Sequence, residues 1–193
     1  MVTKKYAKGK LIDIGCGRMR CRDKLKPFVN EYLGLDHPQK SKLFPVGKYK
    51  PDILADAHHI PVKNKSFDTA IMFQVLEYLE EPKTVFKEIR RILKPKSYFI
   101  LTTPFMYSIH DAGYDLARYT DVYIRKMLKE SGFNLIKIES QGTFMDFLFI
   151  SINVFIFKRA KETNFFFMIL IITFYTPIYL GLNIIAVFFS FLV

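Results

Sequence analysis

The stretch Lys10-Leu-Ile-Asp-Ile14, breaking off into Gly15-Cys16-Gly17, restricts the fold of this chain more than any other. Five mostly apolar residues, two of them isoleucine, suit a buried strand. Two glycines one residue apart then call for a tight loop through dihedrals that other residues adopt only at a cost. The chain repeats the device. Tyr32-Leu-Gly-Leu-Asp36, Pro51-Asp-Ile-Leu-Ala-Asp56, Phe67–Phe73, Tyr98–Thr102 and Phe133–Ile138 read as further short strands, two of them ending in an acid. Between the fourth and fifth, Glu80–Leu93 places Val85, Phe86, Ile89, Ile92 and Leu93 on one helical face. Pro82 suits its first turn, Arg90, Arg91 and Lys94 suit its negative end, and Lys94-Pro95 stops it. Thr120 caps a second helix carrying Ile124, Met127 and Leu128, and Gly132 ends it. Strands alternating with helices imply an α/β fold: a doubly wound, mostly parallel sheet covered on both faces.

Hydrophobic residues make up 50% of the chain, with 20 phenylalanines, but they are unevenly spread. Up to about Gly142, charges are mixed among apolar runs; from Phe144 onward only Asp146 and the cluster Lys158, Arg159, Lys161, Glu162 remain. That break divides residues 1–142 from a tail, 143–193, expected to form apolar helices. The uncharged run Phe165–Val193 exceeds the roughly 20 residues a helix needs to cross a bilayer. Pro177 interrupts it, so a kinked span and a shallow hairpin are alternatives. Phe144–Phe157 is shorter, holds Asp146, and suits the membrane interface. Residues 144–193 are therefore expected to hold the chain at a membrane, with Lys158, Arg159 and Lys161 and the catalytic part on the cytoplasmic side. A dimerising apolar helix pair is the competing reading. The net charge of +11 suits anionic headgroups and, beside such a tail, counts against nucleic acid as partner; a merely solvated, lysine-rich surface is the alternative. Two cysteines, Cys16 and Cys21, are too few and too close for a secreted disulfide framework and lack companion metal ligands. The N-terminus has no apolar segment of the signal-peptide kind.

Acids and glycines at strand ends carry the chemistry, because ligands of open parallel sheets bind outside the carboxyl ends of the strands. Gly15 and Gly17 let backbone approach a ligand, and Asp36 is placed to accept hydrogen bonds from ribose hydroxyls. A dinucleotide fold shares these features. Against it, Arg20 stands where the third glycine of Gly-x-Gly-x-x-Gly belongs, and the Asp13 carboxylate repels a pyrophosphate but attracts an ammonium group. S-adenosylmethionine carries an ammonium and a sulfonium and no phosphate, and is the preferred ligand.

Four ordered segments between about Gly9 and Phe133 carry a family resemblance. Leu11–Gly17 resembles the first motif of class I S-adenosylmethionine-dependent methyltransferases, of the type 11 kind. Leu54–Asp68 resembles their third-strand signature, Phe73–Pro82 the segment after the fourth strand, and Ile89–Pro95 the helix end that follows. The resemblance implies a Rossmann-like sheet in which Asp13, Gly15 and Gly17 hold the methionine end, Asp36 the ribose, and Asp56 with Ala57 the adenine, while Phe73 and Gln74 line the floor. It also implies a hairpin adding a last strand, and this chain is expected to lack it. Thr103–Thr120 resembles a stretch found in a subgroup associated with polysaccharide and glycolipid assembly, which implies a small-molecule or lipid-linked acceptor at the membrane. Within it His110 can take a proton from a hydroxyl or amine, Asp111 or Asp115 can orient it, and Arg118 can clamp an anionic group; the alternative is a packed loop in which these groups pair with one another. His58 and His59 are read as loop residues beside the adenine, and Cys16 as a small residue that fits the loop. The expected reaction is metal-free methyl transfer to an oxygen or nitrogen. A nicotinamide-dependent oxidoreductase and a catalytically silent membrane protein on the same sheet are the rival readings.

Overall fold

The computed structural model describes residues 2–39, 48–109 and 113–162, together with Ile169 and Thr173. The chain divides into two compact units, Met1–Phe105 with Ile109–Ile138, and Met106–Ser108 with Glu139–Val193.

In the first unit the elements run α1 (Val2–Tyr6), β1 (Lys10–Ile14), α2 (Arg22–Leu25), β2 (Glu31–Asp36), β3 (Ile53–Leu54), β4 (Phe67–Phe73), α3 (Pro82–Ile92), β5 (Leu93–Thr102) and α4 (Asp121–Glu130). The strands form one parallel sheet in the order β3-β2-β1-β4-β5. β1 is central, and the chain winds outward from it first through β2 and β3, then through β4 and β5. The strand period of two assigns alternate β1 residues to opposite layers. Ile12 and Ile14 join α3 and α4, through Val85, Phe86, Ile89, Ile92, Ile124, Met127 and Leu128. Leu11 faces the other way, with Ala7, Met19, Leu25, Tyr32 and Ile71. The four α3 side chains are fully buried, which contributes about 6–12 kcal/mol as an upper value. Thr120 caps α4 by accepting a hydrogen bond from the Tyr123 amide, and Gly132, at φ +79°, follows its end.

Three strand expectations are corrected. β3 is only Ile53–Leu54 because Asp52 replaces the ladder ahead of it: its carboxylate accepts from the Gly34 amide at 2.8 Å. β5 begins at Leu93, directly after α3, instead of at Tyr98. The register passes from Phe67↔Leu93 to Thr69↔Tyr98, so extra β5 residues bulge outward around Pro95 and Lys96 at φ +59°. A proline, having no amide to donate, is tolerated in such a bulge. Phe133–Ile138 is not a strand. Phe133 and Ile138 pack against the core and Leu135 and Ile136 are exposed, and among the described residues no neighbouring strand holds the segment in a ladder.

The second unit contains α5 (Phe144–Glu162). Thr143 and Asp146 begin it reciprocally: the Asp146 amide donates to Thr143 Oγ1 at 3.3 Å, and the Thr143 amide donates to Asp146 Oδ2 at 2.6 Å. The one acid in the apolar run is therefore a capping residue, and these bonds hold its carboxyl below the ordinary value. Among the described residues no helix is long and apolar enough to cross a membrane. Most of the run Phe165–Val193, on which the expectation of a span rests, lies outside the described residues.

Candidate active site

The loop after β1 is anchored across the sheet. The Gly15 and Cys16 amides both donate to the Leu35 carbonyl, at 2.8 and 3.0 Å, and the Gly17 amide donates to Asp36 Oδ2 at 3.0 Å. The other Asp36 oxygen accepts from the His37 amide at 2.8 Å. The two glycines serve different ends. A Cβ on Gly15, at φ +69°, would lie 2.3 Å from Val75 Cγ2, so Gly15 lets the loop close on the turn after β4. A Cβ on Gly17, at φ +50°, would meet nothing within 4 Å, so the space beside this residue is open. That refines the expectation that both glycines are there for a ligand.

On the β4 side of the switch point, Gln74 takes a left-handed φ of +56°. Its amide donates to the Thr102 carbonyl at 2.9 Å and its side-chain Nε2 to Thr102 Oγ1 at 3.1 Å. Such a backbone costs a non-glycine residue energy and is held by its surroundings. Phe73, the last residue of β4, is half-buried and touches the α2-side core. Beyond β3, Asp56 is 52% exposed and accepts from the His58 amide at 2.9 Å and meets its Nδ1 at 2.6 Å. Burial works to raise the Asp56 carboxyl, but the bonds to His58 hold it below the usual range. Ala57 packs partly buried against the main core.

Asp13 lies beneath the loop, on the face shared with Leu11 and Tyr32, and is 4% exposed. The Tyr32 hydroxyl donates to its Oδ2. Burial pushes the Asp13 carboxyl up to about 7, the Tyr32 bond opposes that rise, and the charge of Asp36 adds to it. Tyr32, Val75, Thr102 and Asp52 escaped the sequence reading, because each matters through a contact across the sheet. Cys16 is buried, and its thiol is pushed well up by burial and by the negative charges of Asp13, Asp36 and Asp52. A thiol so raised is inert as a nucleophile at neutral pH.

On the acceptor side, Arg118 donates to both Asp115 oxygens, at 2.7 Å for Nη2 to Oδ2. The Asp115 side chain is fully buried, and the following Leu116 amide donates to the carbonyl of buried Glu77 at 2.8 Å. A guanidinium engaged in this way braces the segment against the turn after β4. His110 and Asp111 lie outside the described residues.

These residues fit S-adenosylmethionine better than a pyrophosphate. Open space beside Gly17, an acid at the end of β2 and another beyond β3 suit the hydroxyl and amino donors of an adenosyl group. The helix after the loop is only Arg22–Leu25, without a side-chain cap, and too short to develop the macrodipole that holds phosphate. Residues 12–101 match a family whose description is methyltransferase domain.

Over this segment, just under half of the chain, the likeness is to a methyltransferase domain.

S-adenosylmethionine is the cofactor of that domain class. A Methanocaldococcus jannaschii protein of uncharacterized function is 36% identical over 100 residues, which cover 51% of this chain and 38% of that protein. The match covers well under half the length of most of the curated relatives, and 67% of a second uncharacterized Methanocaldococcus jannaschii protein. Among solved structures, an S-adenosylmethionine-dependent methyltransferase from Aquifex aeolicus is 18% identical with a TM-score of 0.57, covering 73% of this chain and 82% of that one. A Haloferax volcanii protein solved in complex with the Trm112 methyltransferase activator gives the same TM-score and identity, over 70% of this chain and 65% of that one. At this identity both show a shared fold.

Proposed function

We propose that the chain transfers a methyl group from S-adenosylmethionine to an oxygen or nitrogen of a small-molecule or lipid-linked acceptor, such as a glycolipid or polysaccharide precursor, at the cytoplasmic face of a membrane. The observation that carries the reading is the switch-point constellation: open space at Gly17, Asp36 beside it and strained Gln74 across from it. Asp36 accepts hydrogen bonds from the ribose, Asp56 with Ala57 meets the adenine, and the methionine ammonium, received over the loop, draws the Asp13 carboxyl beneath it into its charged form. Phe73 and Gln74 form the floor. Bound S-adenosylmethionine supplies a methyl group already activated by its sulfonium. What remains for the protein is to place the acceptor in line, exclude water and take one proton. His110 takes that proton at its imidazole, with Asp111 to orient it, while Arg118 and Asp115 brace the residues that follow. The exposed apolar residues of α5, among them Phe144, Met145 and Phe155, support the membrane setting.

Calorimetric titration of the full chain with S-adenosylhomocysteine and with NADH tests the reading. Binding of the first and none of the second is expected, and Asp36→Ala should weaken binding by about 1–3 kcal/mol, the cost of leaving hydroxyl donors without a buried acceptor. Tight NADH binding with no response to S-adenosylhomocysteine would replace the transferase by an oxidoreductase.

A further inference from the structure

The second unit holds a groove of about 230 Å³ that the methyl-transfer reading leaves unused. Met106, Ile150, Val154 and Phe155 give it apolar walls, Ser151 adds a hydroxyl, and Lys158 also lines it. Ile150, Val154 and Lys158 recur every four residues and so share one stripe of α5, which ends on the lysine. The walls face water: Met106 is 50% exposed, Ile150 45% and Phe155 62%. Apolar area left exposed in a concave site favours an apolar occupant.

Charge says which occupant. Lys158 makes no ion pair among the described residues, Arg159 follows it, and the only acid near the other end of the helix, Asp146, is spent on the cap. The stripe therefore runs from apolar to cationic. Size narrows the choice further: an apolar cavity of roughly 150 Å³ accepts benzene, so this groove takes a segment of one hydrocarbon chain. We propose that the groove is a binding site for a single-chain lipid phosphate, its hydrocarbon against Ile150, Val154 and Phe155 and its phosphate paired with Lys158. The site stands on the geometry of the second unit alone and does not depend on the methyl-transfer reading.

The chain contains no tryptophan, so Phe155→Trp places a sole fluorescent reporter in the groove wall. The full chain carrying it, held in phosphatidylcholine nanodiscs, is titrated with octyl phosphate, hexyl phosphate, octyl glucoside and inorganic phosphate. Octyl phosphate should give a saturable spectral shift, with hexyl phosphate about ten-fold weaker for its two missing methylenes. Lys158→Glu should weaken octyl phosphate by about 3–10-fold, leave octyl glucoside unchanged, and be rescued by Lys158→Arg. Ser151→Phe, which fills the groove, should abolish the shift. Because Lys158 is exposed, its variants report on the site even if the Ser151 variant fails to fold. Equal binding of octyl phosphate and octyl glucoside, indifferent to Lys158→Glu, overturns the proposal in favour of adsorption to an apolar surface. Full competition by inorganic phosphate overturns it in favour of a bare anion site. A parallel S-adenosylhomocysteine titration of each variant reads the methyltransferase domain separately, so failure of either reading is recognised by itself.

Discussion

Replacing Gly15 by alanine sets a methyl carbon 2.3 Å from Val75 Cγ2 in a backbone held at φ +69°. The left-handed backbone costs a residue with a Cβ about 1–2 kcal/mol, and forcing a methyl into a closed contact costs a further 1–3 kcal/mol or so. Gly15→Ala should therefore lose about 2–5 kcal/mol of stability, read from urea unfolding of the full chain. Val75→Ala removes the atom in the way, so the double variant should regain most of the contact part and none of the dihedral part. Gly17→Ala separates the two effects. Its φ is +50° but its added Cβ meets nothing within 4 Å, so it should lose only about 1–2 kcal/mol of stability. The methyl occupies the space in which the ligand is read to lie, so S-adenosylhomocysteine affinity should fall much further than stability. Gly17→Ala with wild-type affinity would refute the placement of the ligand beside this residue. A Gly15→Ala defect untouched by Val75→Ala would refute the contact argument.

Three further outcomes are expected. Because burial raises the Asp13 carboxyl to about 7 in the folded chain, the folded state keeps a proton that the unfolded chain releases near 4; stability therefore falls as pH rises from 4 to 7 and is level above that, by roughly 4 kcal/mol at most. Asp13→Asn should remove that slope, and the difference between the two urea midpoints across pH isolates it from carboxylates such as Glu88, whose lowered values give the opposite trend. His110→Ala should cut turnover by about 10²–10⁴-fold with S-adenosylhomocysteine affinity unchanged, and an unaltered rate removes His110 from the reaction. The full chain should stay with membranes through carbonate and high salt; release by salt alone would make the apolar tail an oligomer interface.

Where one residue pattern settles one local structure, the sequence reading and the structure coincide. β1 and β4 have the expected ends, since an apolar run there meets a glycine loop or a strained turn. The apolar face of α3 is set by spacing alone. The reading fell short where a distant group completes the geometry. Asp52 shortens β3 through the Gly34 amide, and the bulge around Lys96 lets β5 start 5 residues early by its register with β4. Phe133–Ile138 has strand composition without a strand partner. At the site, the acids and glycines were legible as residue types, yet nothing local to Asp13 marks Tyr32 as its donor, or marks Val75 as the reason for Gly15. The Arg118 fork was open to two readings because sequence separation alone does not say whether Asp115 is buried.

The two margins of the sheet bear on how the protein behaves when crowded. A strand that lies open along its length invites another chain to add to it, and growth of that kind leads to aggregates. Here β3 offers only two residues, and the start of β5 is thrown out of line around Pro95 and Lys96, with Lys96 adding charge. Neither margin is a good template for edge-to-edge growth. Straightening β5, by deleting the bulged residues or replacing Pro95 and Lys96 with β-branched residues, would create such a template and expose the chain to self-association during synthesis.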